Sequence, residues 1–140
     1  MKVVVDYPPN IADIRAVFRL KGGEIFTWGD TIFSPFGDKI PPWLLAHEQV
    51  HERQQAGDPQ AWWDRYLVDP QWRYEQELEA HRVEYNTFCI SLEALMNRNK
   101  KRAFLKVLAR RLSSTMYGNV ATYQQCRMAI KRGNHGRARD

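Results

Sequence analysis

The amino-acid sequence predicts an α+β domain, with a small N-terminal β-hairpin packed on helices that fill the rest of the chain. Three observations carry this expectation. Runs rich in β-branched and aromatic residues fall at positions 2–5, 24–28 and 31–33. From Pro42 onward, apolar residues recur at three- and four-residue steps. Pro41-Pro42 and Asp69-Pro70 stand where helices begin, because a first helical turn has no use for its N–H groups. A length of 140 residues suits one domain with a real core.

The elements follow in order. Residues 2–5 read as a short strand, stopped by Pro8-Pro9. Ile11, Ile14, Val17 and Phe18 share one face of a helix over 11–18, with Asn10 as candidate N-cap; a strand over 16–20 is the alternative. Gly22-Gly23 breaks the chain, and Gly29-Asp30 turns one β-rich run into the next. A loop leads to a helix over 42–55, with Gly57 at its C-cap position. Residues 60–67 form a short helix or turn carrying Trp62, Trp63, Tyr66 and Leu67. That aromatic cluster covers the core or, on a sharper reading, walls a substrate site. Asp69 caps a long helix over 70–97. On it Leu78, Tyr85, Cys89, Leu92 and Met96 recur, interrupted by His81 and Arg82, which suggests a buried polar site there. A helix over 103–112, a loop over 113–119 holding Tyr117-Gly118, and a helix over 120–131 complete the fold. The domain is expected over residues 1–132, and residues 133–140 as a basic, disordered tail.

Composition narrows the function classes. The chain is 44% hydrophobic and 26% charged, as soluble globular proteins are. No apolar run approaches membrane-spanning length, and the N-terminus lacks a signal-peptide pattern. Cys89 and Cys126 lie far apart among apolar residues, so two buried free thiols and a cytoplasmic location are expected. The formal charge of +5 comes largely from C-terminal Lys and Arg. No stripe of aromatics interleaves those charges, so a solvated helix face is preferred over a nucleic-acid interface.

One stretch carries chemistry. Residues 44–51 contain His-Glu-x-x-His. On a helix, His47 and His51 sit one turn apart on one face and converge. Two neutral imidazoles so placed hold one Zn²⁺ and leave coordination positions open. Glu48 points to one side, where it can take a proton from a metal-activated water. Leu44, Leu45 and Val50 turn towards a core. HExxH sites also accept other divalent ions.

A zinc hydrolase needs three protein ligands. Residues 74–81 offer Glu75, Glu77, Glu79 and His81. Glu77 and His81 share a helical face, whereas Glu79 lies on the opposite side from Glu77. If Glu77 binds the metal, His81 is placed to hydrogen-bond a ligand histidine or the ligating carboxylate.

Residues 44–55 and 77–81 together resemble the gluzincin group of zincin metallopeptidases, in which HExxH is followed by Glu-x-x-x-Asp on a later helix. Residues 45–55 also resemble small AHExxHxxQQ peptidase-like domains of bacteria and phages, which have no assigned role. The resemblance implies a zincin-like fold, with a small sheet on two metal-bearing helices. It implies His47, His51 and Glu77 as ligands and Glu48 as general base. His81 stands where the group has Asp, which keeps Glu79 and His81 itself open as ligands.

The expected activity is a zinc metallopeptidase acting on a peptide or protein substrate, with no membrane partner. Tyr117 is the candidate catalytic donor to the oxyanion, with Arg82 and Tyr85 as alternatives. The strand at 31–33, if a sheet edge, would pair with an extended substrate. The competing expectations are a zinc-bearing binding or assembly domain without turnover, and a basic nucleic-acid module with an incidental motif.

Overall fold

The computed structural model describes residues 1–139, with side chains through Gly133. Among the described residues are three short strands, seven α-helices and one 3-10 turn. The strands are β1 (Lys2–Val4), β2 (Phe26–Trp28) and β3 (Thr31–Phe33). The helices are α1 (Ile11–Val17), α2 (Pro42–Gln55), α3 (Pro59–Val68), α4 (Pro70–Cys89), α5 (Leu92–Met96), α6 (Arg98–Leu112) and α7 (Tyr123–Arg139). The α+β expectation therefore holds. No helix among the described residues is long and apolar enough to cross a membrane.

The sheet order is β1-β3-β2. β2 and β3 form the expected hairpin, with Trp28 opposite Thr31 across the two-residue turn. β1 joins the other side of β3 in parallel. Thr31–Phe33 is thus the central strand. It is no sheet edge, and its ladder groups are not free for a substrate. The edge beside α2 is β2 instead.

That edge is partly closed by a side chain. The Gln55 amide donates to the Thr27 carbonyl at 2.8 Å and accepts from the Gly29 N–H at 2.7 Å. The two backbone groups sit two residues apart on one edge, so the amide stands in for the next strand. The Trp63 indole N–H adds a second donor to the Thr27 carbonyl at 2.9 Å.

Several boundaries move, each for a local reason. Asn10 makes no side-chain cap bond on α1. Ala56, not Gly57, takes the left-handed C-cap of α2, at φ 49°. The predicted 70–97 helix breaks at Ile90, because the Ser91 hydroxyl donates to the Phe88 carbonyl and its oxygen accepts from the Ala94 N–H. Asn97 then caps α6, which starts at Arg98. α7 starts at Tyr123, where Thr122 and Gln125 satisfy each other's backbone N–H groups in a reciprocal capping box. Within the predicted 113–119 loop, Thr115–Tyr117 forms a 3-10 turn. Of the tail expected to be disordered, 133–140, the backbone of 133–139 continues α7; the side chains of 134–139 and the whole of residue 140 lie outside the described residues.

The core lies between α4, α6 and α7, with Leu105, Leu108, Leu112, Cys126 and Ile130 almost wholly buried. Trp62, Trp63 and Tyr66 extend it beneath the hairpin. Cys89 and Cys126 are free thiols; Cys126 is buried as expected, whereas Cys89 is only half-buried. The broadest helix pairing is α2 on α4, and it sets the two histidines of one against the carboxylate of the other.

The Gln55 staple predicts a stability effect. Gln55→Leu strands the Gly29 N–H and weakens the seat of β2, and should lower the unfolding free energy by about 2 kcal/mol. Equilibrium urea unfolding of the metal-free protein measures it. A change within about 0.5 kcal/mol would mean that the hairpin does not depend on this contact.

Candidate metal centre

Helix α2 brings His47, Glu48 and His51 to one buried patch, all about 5% exposed or less. Val50 is fully buried on the side away from them, as expected; Leu44 and Leu45 are half-buried. Across from α2, α4 places Glu77, which is 4% exposed. His47, His51 and Glu77 converge, and this cluster can hold a metal ion.

The spacing fits a small tetrahedral ion. His47 Nε2 and His51 Nε2 are 3.2 Å apart. Glu77 Oε1 is 3.2 Å from His47 Nε2, and Glu77 Oε2 is 3.3 Å from His51 Nε2. Donors bound at about 2.0–2.1 Å around a tetrahedral zinc lie roughly 3.3 Å apart. Glu77 Oε1 is buried and has no hydrogen-bond partner. Such an atom is costly unless something cationic meets it.

Each donor is oriented from behind. His47 Nδ1 lies 2.8 Å from Glu84 Oε1. His51 Nδ1 lies 2.8 Å from Gln54 Oε1. These bonds turn both Nε2 atoms to the common point. The Tyr66 hydroxyl donates to Glu77 Oε2 at 2.6 Å. The Thr27 hydroxyl, from β2, donates to Glu48 Oε1 at 2.9 Å. Glu48 Oε2 lies 3.6 Å from His47 Nε2.

The other acidic candidates turn away. Glu75 and Glu79 are exposed, and Glu79 accepts from the Gln54 amide at 3.0 Å. It therefore supports the group that holds His51. His81 is fully buried, but its position corrects the expected role. Its Nδ1 donates to the Glu77 backbone carbonyl at 2.6 Å and lies 3.6 Å from Glu77 Oε1. It binds neither a ligand histidine nor the ligand carboxylate. Glu84, one turn further along α4, takes the partner role for His47. Sequence reasoning missed Glu84, Gln54, Tyr66 and Thr27. Two left a signal: Gln54 is the first glutamine of the AHExxHxxQQ pattern, and Glu77, His81 and Glu84 follow the i, i+4, i+7 rule of one helical face.

The electrostatics favour positive charge at the centre. Burial alone would lower the pKa of His47, but Glu48, Glu77 and Glu84 push it up to about 10. His51 is raised against burial by Glu77. Burial opposes ionisation of Glu77, yet the two histidines hold its carboxyl well below the usual range. Burial raises the Glu48 carboxyl, and the histidines partly offset this. Burial and the neighbouring His47 lower His81 to about 4, so it stays neutral.

A cavity of about 430 Å³ opens beside the cluster. Phe26, Leu44, Trp62, Arg111 and Tyr117 are among its lining residues. The Trp62-Tyr66 cluster thus serves as core and as cavity wall. Tyr117 is held by Arg73, whose guanidinium donates to the Met116 carbonyl at 2.9 Å. Gly118 follows at φ 78°, and a Cβ there would meet Pro70 Cβ at 2.6 Å, so the turn needs glycine. Burial lifts the Tyr117 hydroxyl pKa well above its usual value, so it remains a proton-bearing donor. Arg82 and Tyr85 are not in the cavity wall: Arg82 donates to the Ala129 carbonyl at 2.9 Å. The chain matches no protein-family model, no curated protein and no solved structure.

Two outcomes follow from this geometry. Without metal, His47 holds its proton up to about pH 10, and a metal ion must displace it. Zinc affinity should therefore rise between pH 6 and 8, about tenfold per pH unit for each proton displaced, with protons released on binding. Competition titration across that range measures it; a flat profile would contradict the charge balance. Separately, Glu84→Ala should weaken zinc binding by about 10–100-fold without unfolding the chain.

Proposed function

We propose that this chain is a zinc metallopeptidase of gluzincin type, with His47, His51 and Glu77 as ligands and Glu48 as general base. The observation that carries the reading is a buried carboxylate, Glu48, held beside a three-donor cluster at the wall of a cavity. When bound, zinc supplies Lewis acidity, polarising a carbonyl and making a water acidic enough to lose a proton near neutrality.

The rest of the chemistry belongs to the chain. Thr27 engages Glu48 Oε1. Oε2 is then free to accept the proton of the attacking water, and later to hand it to the leaving amine. Tyr66 holds Glu77 in place through Oε2. Tyr117 donates its hydroxyl proton in a hydrogen bond to the developing oxyanion, and Arg111, on the same cavity wall, adds positive charge. Apolar Phe26 and Leu44 favour an apolar substrate side chain next to the scissile bond. The free cysteines support a reducing, cytoplasmic setting.

The deciding comparison is Glu48→Gln against wild type, with zinc content and hydrolysis of a quenched peptide library read in parallel. The expected result is one zinc retained and turnover reduced by at least a thousandfold. Tyr117→Phe should lower kcat by roughly 10–1,000-fold with little change in KM. Unchanged hydrolysis in Glu48→Gln, or none in zinc-loaded wild type, would leave a zinc-bearing binding or assembly domain.

A further inference from the structure

The chain folds its basic C-terminal stretch back on itself. Residues 94–133 hold ten Lys and Arg and no Asp or Glu, whereas residues 1–93 hold nine against fifteen. The basic stretch builds α6 and the described part of α7, which pack against each other.

Between them runs a groove of about 580 Å³, lined by Lys106, Arg110, Ser113, Tyr123, Gln124 and Arg127. Lys106 and Arg110 are one turn apart on α6, and Tyr123 and Arg127 one turn apart on α7, so each pair shares a face. No carboxylate lines the groove, and among the described residues none of the three cations has an ion-pair partner. Other cations do find one: Lys100 meets Glu93 and Arg111 meets Glu84. The half-buried Tyr123 ring lies under the Arg110 guanidinium at 6.0 Å. An aromatic face among unpaired cations and neutral donors is the arrangement that an unpaired base and its phosphates need. A duplex keeps its base faces stacked, and a peptide whose contacts are carboxylates alone has no flat group to stack on the ring.

We infer that the α6–α7 groove binds single-stranded nucleic acid, with Lys106, Arg110 and Arg127 on phosphates and Tyr123 stacking on a base. This departs from the expectation from sequence, which preferred a solvated helix face because no stripe of aromatics interleaves the charges. The surface is separate from the metal centre and independent of the peptidase reading.

The test is fluorescence anisotropy of the full chain with a labelled 20-nucleotide single strand of mixed sequence. Three phosphate contacts predict a loss of affinity of about twentyfold between 50 and 200 mM salt. Lys106 and Arg110 are exposed, so Lys106→Glu/Arg110→Glu should fold normally, with its thermal midpoint as control, and bind at least tenfold more weakly. Lys2→Glu/Lys39→Glu makes the same charge change elsewhere and should bind within twofold of wild type. Tyr123→Leu should weaken the single strand and remove any preference over the matching duplex. Equal weakening in the two charge-reversal variants would reduce the effect to net charge and overturn the assignment. So would binding to vesicles of anionic phospholipid with none to the oligonucleotide. That result would point instead to the exposed apolar corner of Ile90, Leu92, Leu95 and Met96.

Discussion

The structure turns on one buried carboxylate. Glu77 sits in the protein interior with one oxygen bound by Tyr66 and the other without a hydrogen-bond partner. An ionised carboxylate in such a place is costly unless positive charge lies within a few ångströms. The two imidazoles of α2 supply it when protonated, and a divalent cation held by the same cluster would supply it when they are not. A bound metal ion would therefore satisfy the same electrostatic demand that the protonated histidines satisfy without it. Competition between protons and metal follows directly.

The remaining architecture keeps that demand in register. α2 must present His47 and His51 to α4 and Glu48 to the cavity, which fixes its rotation. Gln55, one turn beyond His51, fastens the same helix to the hairpin. The hairpin in turn returns Thr27 to Glu48. The sheet, though only three strands wide, thereby fixes both the position of the helix and the orientation of the carboxylate. On the opposite side, Arg73 ties α4 to α3 and to the turn that carries Tyr117, through the Tyr66 and Met116 carbonyls. A buried guanidinium bound to backbone carbonyls holds three segments around one cavity.

Much of this was legible from local rules. The HExxH spacing placed two imidazoles on one face, because helical periodicity is a property of consecutive residues. Alternate acidic residues at 75, 77 and 79 could not share a face, and Glu77 alone turned inward. What escaped was set by long-range packing. That β3 is central rather than an edge depends on β1 returning from the chain start. That Glu84, and not His81, meets His47 depends on the angle between α2 and α4. The break at Ile90 hides in an apolar pattern that runs on unbroken; only the Ser91 hydroxyl bonds mark it. Tyr123 joined the basic residues because α7 folds back on α6, not because they are neighbours in sequence.

Glu77 is the residue that completes the proposed metal centre. Zinc content after dialysis, compared between wild type, Glu77→Ala and Glu79→Ala, tests this most directly. One equivalent is expected in wild type and in Glu79→Ala, and little or none in Glu77→Ala. Zinc retained in full by Glu77→Ala, or absent from wild type after zinc is supplied, would contradict it.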